Sequence, residues 1–376
     1  AGSSVALADY AGTWQTNNVT VAANGTEKIG GADADVTLST EGQSVTFVYI
    51  DGTQGWVNVL DSTSNVRGNE FVVATGGTPC TGAISGNCKI HTFTGPGTFC
   101  VSAVGPCAAN NLVSYMVVAG GGGGGYCAGG GGGAGGFREL VSPTAPYTAS
   151  PLDGYPNAPN RITVTATGFP ITVGGGGPGS SGPGSAATKG SNSVFSTITS
   201  TGGGFAGSRG PASGSGCSGG SGGGVSADTA GAGGAGNTPP TTPAQGFRGG
   251  QKSSPSHNCG GKGGGGATVT GQDSQFCHPA PKAPNGGAGA TSSINATPTA
   301  RAGGGGGGGY VTCGSTGGTG GTGGGGAGAS PGADAIVGAI NTGGGGGGGA
   351  NGPACHPTEL GAQGGSGVVI IRYKFQ

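Results

Sequence analysis

Charge is scarce in this chain. Only 7% of its 376 residues are Asp, Glu, Lys or Arg, and 14 basic residues balance 14 acidic ones. A neutral chain lacks the basic footprint that nucleic acid requires. It also lacks the charge that keeps a disordered chain solvated. Apolar runs are short; none approaches the roughly 20 residues of a membrane span, so membrane insertion is not expected. Proline is too rare, and a strict Gly-X-Y period is missing, which excludes collagen. The chain begins at Ala1 without Met and shows no signal-peptide pattern, so it is expected to be a processed product or a fragment.

Catalytic signatures are missing too. After Glu139 the acidic residues are only Asp153, Asp228, Asp273, Asp334 and Glu359, and nothing pairs two carboxylates for glycoside hydrolysis. No Ser sits in a nucleophile elbow. Gly-x-Gly-x-x-Gly recurs by chance in a chain this rich in glycine, and no copy follows a strand and opens a helix. Lys262 in Gly-Gly-Lys-Gly is not followed by Ser or Thr, so it makes no phosphate loop. No Cys-x-x-Cys spacing sets two metal ligands on one turn, although His257 neighbours Cys259, Cys277 precedes His278 and Cys355 precedes His356. We therefore expect a protein that is not an enzyme and uses no cofactor and no metal.

What is present is glycine, 99 residues of it. Runs occupy 120–125, 129–133, 174–177, 263–266, 303–309, 323–326 and 343–349. Ordering each Gly in place of Ala costs roughly 0.5–1 kcal/mol, so an ordered glycine region needs a cooperative offset. Side chains cannot supply it, but backbone hydrogen bonds between closely packed segments can. In polyproline-II geometry the backbone N–H and C=O groups point outward, and seven residues span about 22 Å. Rods of that kind, lacking Cβ atoms, can pack and bond to one another, which satisfies their buried backbone groups.

The expected fold class is mainly β and irregular: small N-terminal β modules, then a polyglycine-II bundle with interspersed strands, and almost no α-helix. Residues 1–67 form a first module, with strands at 19–21, 36–38 and 45–50, a turn at Asp51-Gly52, and a return at 54–59. Residues 68–118 form a second, with strands at 71–73, 89–93, 99–101 and 113–118. The glycine region covers 119–366, interrupted by strand-like pieces at 137–140, 161–164, 169–173, 194–199 and 335–337. Residues 367–376 are a closing strand.

Ten cysteines point to an extracellular working life. Cys80 with Cys88, and Cys100 with Cys107, flank loops with spacings that suit local disulfides. Cys127, Cys217, Cys259, Cys277, Cys313 and Cys355 are further disulfide candidates, with pairing left open.

Several segments resemble the glycine-rich C-terminal regions of bacteriophage tail fibres and tail-tip adhesins. They are Lys89-Ile90-His91-Thr92-Phe93, Gly95-Pro96-Gly97-Thr98-Phe99, Tyr115-Met116-Val117-Val118-Ala119-Gly120, Ala134-Gly135-Gly136-Phe137-Arg138-Glu139, and Phe169-Pro170-Ile171-Thr172-Val173-Gly174. Residues 190–198 and the terminal 365–373 continue the likeness, and 12–56 is similar to a β module of marine phage fibres. The resemblance implies a virion protein, extracellular at a tail fibre or tail tip and homotrimeric. Its partners would be other tail proteins and a host surface glycan or outer-membrane protein. Loops at the distal end of the glycine scaffold would bind the host. The Asn-x-Thr patterns at Asn18, Asn24 and Asn295 are then coincidental.

Three polar loops supply the candidate receptor-binding residues. Loop 142–160 carries Tyr147 and Tyr155; loop 237–258 carries Phe247, Arg248, Lys252 and His257; loop 272–285 carries Gln275, Phe276, His278 and Lys282. Aromatic faces beside amide and charged groups suit sugars or a protein loop, as does their placement on loops of a rigid scaffold. The competing reading is that the aromatics cap the bundle. Alternatives for the whole chain are a structural fibre or capsid-decoration protein that binds nothing specific, and an ice-binding or extracellular-matrix protein. Ice binding requires regular Thr or Ala rows, and no such period occurs.

Overall fold

The computed structural model describes residues 2–62, 71–210, 214–229, 231–253, 260–274, 281–352 and 360–376. The chain forms two compact units, Ala1–Gly68 and Asn69–Gln376. The described residues are almost all strand or irregular backbone, with only short 3-10 turns at Ala108–Asn111, Ala158–Asn160 and Val311–Cys313.

In the first unit, β1 (Ser4–Ala8), β4 (Ser44–Asp51) and β5 (Gly55–Asp61) form an antiparallel sheet, and β2 (Val19–Val21) pairs β3 (Val36–Leu38). The Asp51-Gly52 turn forms as expected. Asp51 Oδ1 accepts the N–H groups of Thr53 and Gln54 at 2.8 and 2.7 Å, closing the hairpin between β4 and β5. Ile29, Leu38, Val45 and Phe47 make the small core.

The second unit is built on two five-stranded antiparallel sheets. One runs β11 (Phe137–Leu140), β10 (Ser114–Val118), β17 (Val368–Lys374), β8 (Cys88–Phe93), β7 (Thr78–Ser85). The other runs β14 (Ile198–Ser200), β13 (Ser193–Phe195), β12 (Gly168–Thr172), β9 (Gly97–Ala103), β6 (Val73–Thr75). Strand alternation divides β10 between two cores. Tyr115 and Val117 join Phe99, Phe195, Ile371 and Tyr373 between the sheets. Met116 and Val118 join Phe137, Val368 and Ile370 on the other face, with Ala134, Ile294 and Ala302.

The strands of 68–118 therefore do not stand as a module of their own. β10 pairs with β11 and β17, and β9 with β12, so their edge N–H and C=O groups bond to strands from outside 68–118. The C-terminal strand is central in its sheet, between β10 and β8. Segment 194–199, expected as one strand, is the β13–β14 hairpin, turned at Ser196 with φ 53°. Segments 161–164 and 335–337 are not strands.

Beyond the sheets the glycine runs are rods, and their bonding has a period of three. Gly120, Gly121, Gly122, Gly123, Gly124 and Gly125 donate in turn to Ser191, Gly365, Gly133, Thr188, Ala362 and Gly130. Residues three apart thus bond to the same neighbouring rod, which is the three-residue turn of a polyproline-II helix. Their carbonyls accept from Gly203, Gly177, Gly346, Ala206, Ser180 and Gly349, again on three rods with the same period. The run 120–125 accordingly has six rods around it. Run 303–309 repeats the scheme: it donates to rods 323–329, 284–287 and 129–132 and accepts from 345–348, 318–321 and 261–264. Side chains are excluded by this approach. A Cβ on Gly121 would collide with the Gly344 carbonyl, and one on Gly303 with that of Gly321.

Candidate functional site

The rods alternate in direction. Run 120–125 leaves β10, turns at 126–128 and returns antiparallel as 129–136 into β11, with Gly122 bonded to Gly133 and Gly125 to Gly130. Run 174–180 leaves β12 parallel to it, Gly177 bonding to Gly121 and Ser180 to Gly124. Successive connections therefore fall alternately at the sheet end and at the far end. Residues 126–128, 208–210, 227–229, 310–316, 330–334 and 350–352 lie at the far end. Residues 237–245, 268–270, 293–298 and 340–342 lie at the sheet end, as does loop 142–160 after β11.

The far-end turns are held by side-chain anchors. At the 126–128 turn Cys127 and Ala128 take positive φ, and Tyr126 N–H donates to Ser208 Oγ at 3.1 Å. Arg209 pairs with Asp228 at 2.6 Å and lies over the Tyr310 ring at 5.5 Å. Burial opposes the charge on Arg209, but Asp228 outweighs it and raises its pKa. Where run 303–309 stops, Tyr310 N–H donates to Ser315 Oγ at 2.7 Å. Arg209 and Asp228 keep somewhat over a third of their side-chain surface in solvent. The turns thus offer an aromatic ring, a guanidinium and a carboxylate on rigid backbone.

The sequence-derived site residues separate into groups. Tyr147 packs inward on the second core, with Arg372 over its ring at 5.7 Å, so it caps the sheet. Its loop is strapped down by the buried Glu139, which accepts hydrogen bonds from Ser150 and Ser292. Burial raises the Glu139 pKa against those bonds. Tyr155 is exposed beneath Arg161 at 5.4 Å, at the sheet end. Phe247 and Arg248 are not loop residues but belong to the rod 246–250. Arg248 makes a two-pronged pair with Asp273 at 2.8 and 3.0 Å. Lys252 and Lys282 are half-buried, and Lys282 bridges to Thr316 at the far end. His257, Gln275, Phe276 and His278 lie outside the described residues, as do Cys259, Cys277, Cys355 and His356.

The disulfides expected at Cys80–Cys88 and Cys100–Cys107 are not formed. Among the described residues, no disulfide joins Cys80, Cys88, Cys100, Cys107, Cys127, Cys217 or Cys313. Cys88 is buried where it opens β8 while Cys80 is exposed, so the two side chains occupy different environments. Among the described residues no group of three or more His, Cys, Asp or Glu is placed to hold a metal ion. No helix among them is long and apolar enough to cross a membrane.

Missed by sequence reasoning were Arg209, Asp228 and Tyr126; their signal was a lone large or charged residue directly after a small-residue run. A family model described as a glycine-rich domain matches residues 93–374. No curated protein matches the chain.

Proposed function

The chain belongs to the glycine-rich domain family, and from that premise we propose that it is a phage virion fibre or tail-tip adhesin, a homotrimer that attaches to a host surface glycan or outer-membrane protein without catalysis. The observation that carries this reading is the alternation of the rods. It gathers six or more turns at one end of a scaffold whose other end is closed by sheets. Such a scaffold holds its turns with little loss of entropy on binding, because they are already ordered. Tyr310 with Arg209 and Asp228 supplies the ring and charged groups that grip a sugar or a protein loop.

Fluorescently labelled chain, applied to a panel of bacterial cells of different surface chemistry, tests it. The expected result is saturable cell-surface binding that is lost when 208–210 and 311–315 are replaced by Gly-Ser, with amide exchange in the rods unchanged. Binding that survives both replacements removes this end as the receptor site. Failure to bind any cells, together with failure of an antibody against the chain to label virus particles, refutes the reading.

A further inference from the structure

Loop 154–160, the β13–β14 turn and residues 240–242 enclose a cleft of about 490 Å³ at the sheet end of the second unit, a volume within the range of small-ligand sites. Arg138 lines it from β11. One terminal nitrogen, Nη2, donates to Asn160 Oδ1 at 2.6 Å, which fixes the guanidinium plane. Among the described residues that is its side-chain hydrogen bond, and no carboxylate pairs with it. A half-buried guanidinium therefore faces an open space with its remaining N–H groups unengaged.

The walls around it are stiff. Asn160 is buried, and its amide donates to the carbonyls of Gly154 at 3.2 Å and Thr242 at 2.9 Å, tying the two loops together. Its own carbonyl accepts from the Tyr115 hydroxyl at 2.7 Å. On the other wall Asn237 Oδ1 gathers the N–H and hydroxyl of Thr241, both at 3.0 Å, and the N–H of Gln245 at 3.2 Å. Gln245 in turn donates to Pro239 O at 2.9 Å. Asn157, Thr197 and Thr242 line the same cleft, and their side-chain polar atoms have no partner among the described residues.

We propose that this cleft is a binding site for a saccharide bearing a carboxylate, such as a uronic acid. One guanidinium matches one planar monoanion, to which Arg bonds through two parallel N–H groups. A phosphate polymer would call for a cluster of cations, and the cleft has one. The remaining lining of amide and hydroxyl groups between proline rings suits sugar hydroxyls better than apolar peptide side chains. The assignment adds a second site, at the end opposite the far-end turns; only the source of its sugar, a cell-surface glycan, rests on the attachment reading.

Isothermal titration of the full chain with trigalacturonic acid, its methyl ester and an oligoglutamate peptide tests the site. The acid should bind, and the ester should bind about tenfold or more weakly, because a charge-assisted pair is lost. Arg138→Gln should weaken the acid by a similar factor. Thr197 is exposed and forms no hydrogen bond that the fold uses, so Thr197→Trp should block the cleft with the melting midpoint unchanged. No binding of the acid, binding indifferent to both substitutions, or oligoglutamate binding as tightly as the acid would each overturn the proposal. Cell binding measured in parallel separates the two readings. Cells bound without uronate affinity remove the cleft and leave attachment standing; uronate affinity without cell binding does the reverse.

Discussion

Replacing Gly305 by alanine tests the rod lattice in its interior. Gly305 lies in the middle of run 303–309; its N–H donates to Gly132 O at 2.9 Å, and its carbonyl accepts from Gly264 at 2.8 Å. A Cβ there would collide with the carbonyl of Gly346, which is the acceptor for Gly132 N–H at 2.8 Å. Relieving the collision separates rods 303–309, 129–133 and 343–349 and breaks two buried bonds. Two broken bonds leave four buried groups unsatisfied at about 1–3 kcal/mol each, so the gross loss is about 4–12 kcal/mol before the rods relax. The stiffer unfolded chain of alanine returns about 0.5–1 kcal/mol. Gly175 is the control. It is exposed, nothing lies within 4 Å of its ideal Cβ, and its φ is not positive. Gly175→Ala should therefore stabilise by about 0.4–1 kcal/mol. Urea unfolding of the two variants decides the matter, with amide exchange at Gly132 and Gly305 as the local readout. A Gly305→Ala midpoint equal to or above that of Gly175→Ala would refute the reasoning.

Two further expectations concern buried ionisable groups. His91 lies between the sheets, stacked on Tyr373, with Nδ1 2.7 Å from Gly76 O and Nε2 3.1 Å from the Tyr373 hydroxyl. The carbonyl can only accept, so Nδ1 carries the proton of the neutral ring. Burial holds its pKa below the ordinary value, although the Gly76 contact opposes this. The unfolded chain therefore takes up a proton first, and stability present above about pH 6.5 falls as the pH drops towards the folded pKa. Melting midpoints between pH 5 and 7 should show this slope, and His91→Phe should flatten it; an unchanged slope contradicts the assignment. Lys262, fully buried in the lattice, donates to Gly260 O at 2.9 Å and Ala227 O at 3.3 Å. Lys262→Met should destabilise by about 1–3 kcal/mol for each carbonyl left without a donor. A neutral result in calorimetry would show that water replaces the ammonium.

The rods were legible because glycine runs without charge leave few ways to satisfy a buried backbone. Run 303–309 became one member of a lattice for the reason its composition suggested. The interleaved apolar pieces were legible as strands where β-branched and aromatic residues concentrate, as in 368–371, a continuous apolar run that is buried on both faces. Piece 194–199 was misread because its turn depends on Ser196, a residue type that does not announce a positive φ. The ordering of the ends was hidden for a different reason. Which end a loop occupies depends on how many rods precede it, and small-residue segments such as 202–207, 214–220 and 231–236 are rods without being glycine runs. Counting runs alone therefore loses the parity. That is why Tyr147 and Tyr155 were grouped with Lys282, although β11 returns its loop to the sheets and rod 283–289 begins at the far end. Arg138 was passed over because a charged residue in Phe137-Arg138-Glu139-Leu140 reads as a solvated face of a strand. Its partner across the sheet, Val117, is wholly buried, and Asn160 arrives from 22 residues away to hold it half-buried. Local pattern thus identified the material of the scaffold, while both candidate recognition surfaces arise from long-range juxtapositions that only the lattice creates.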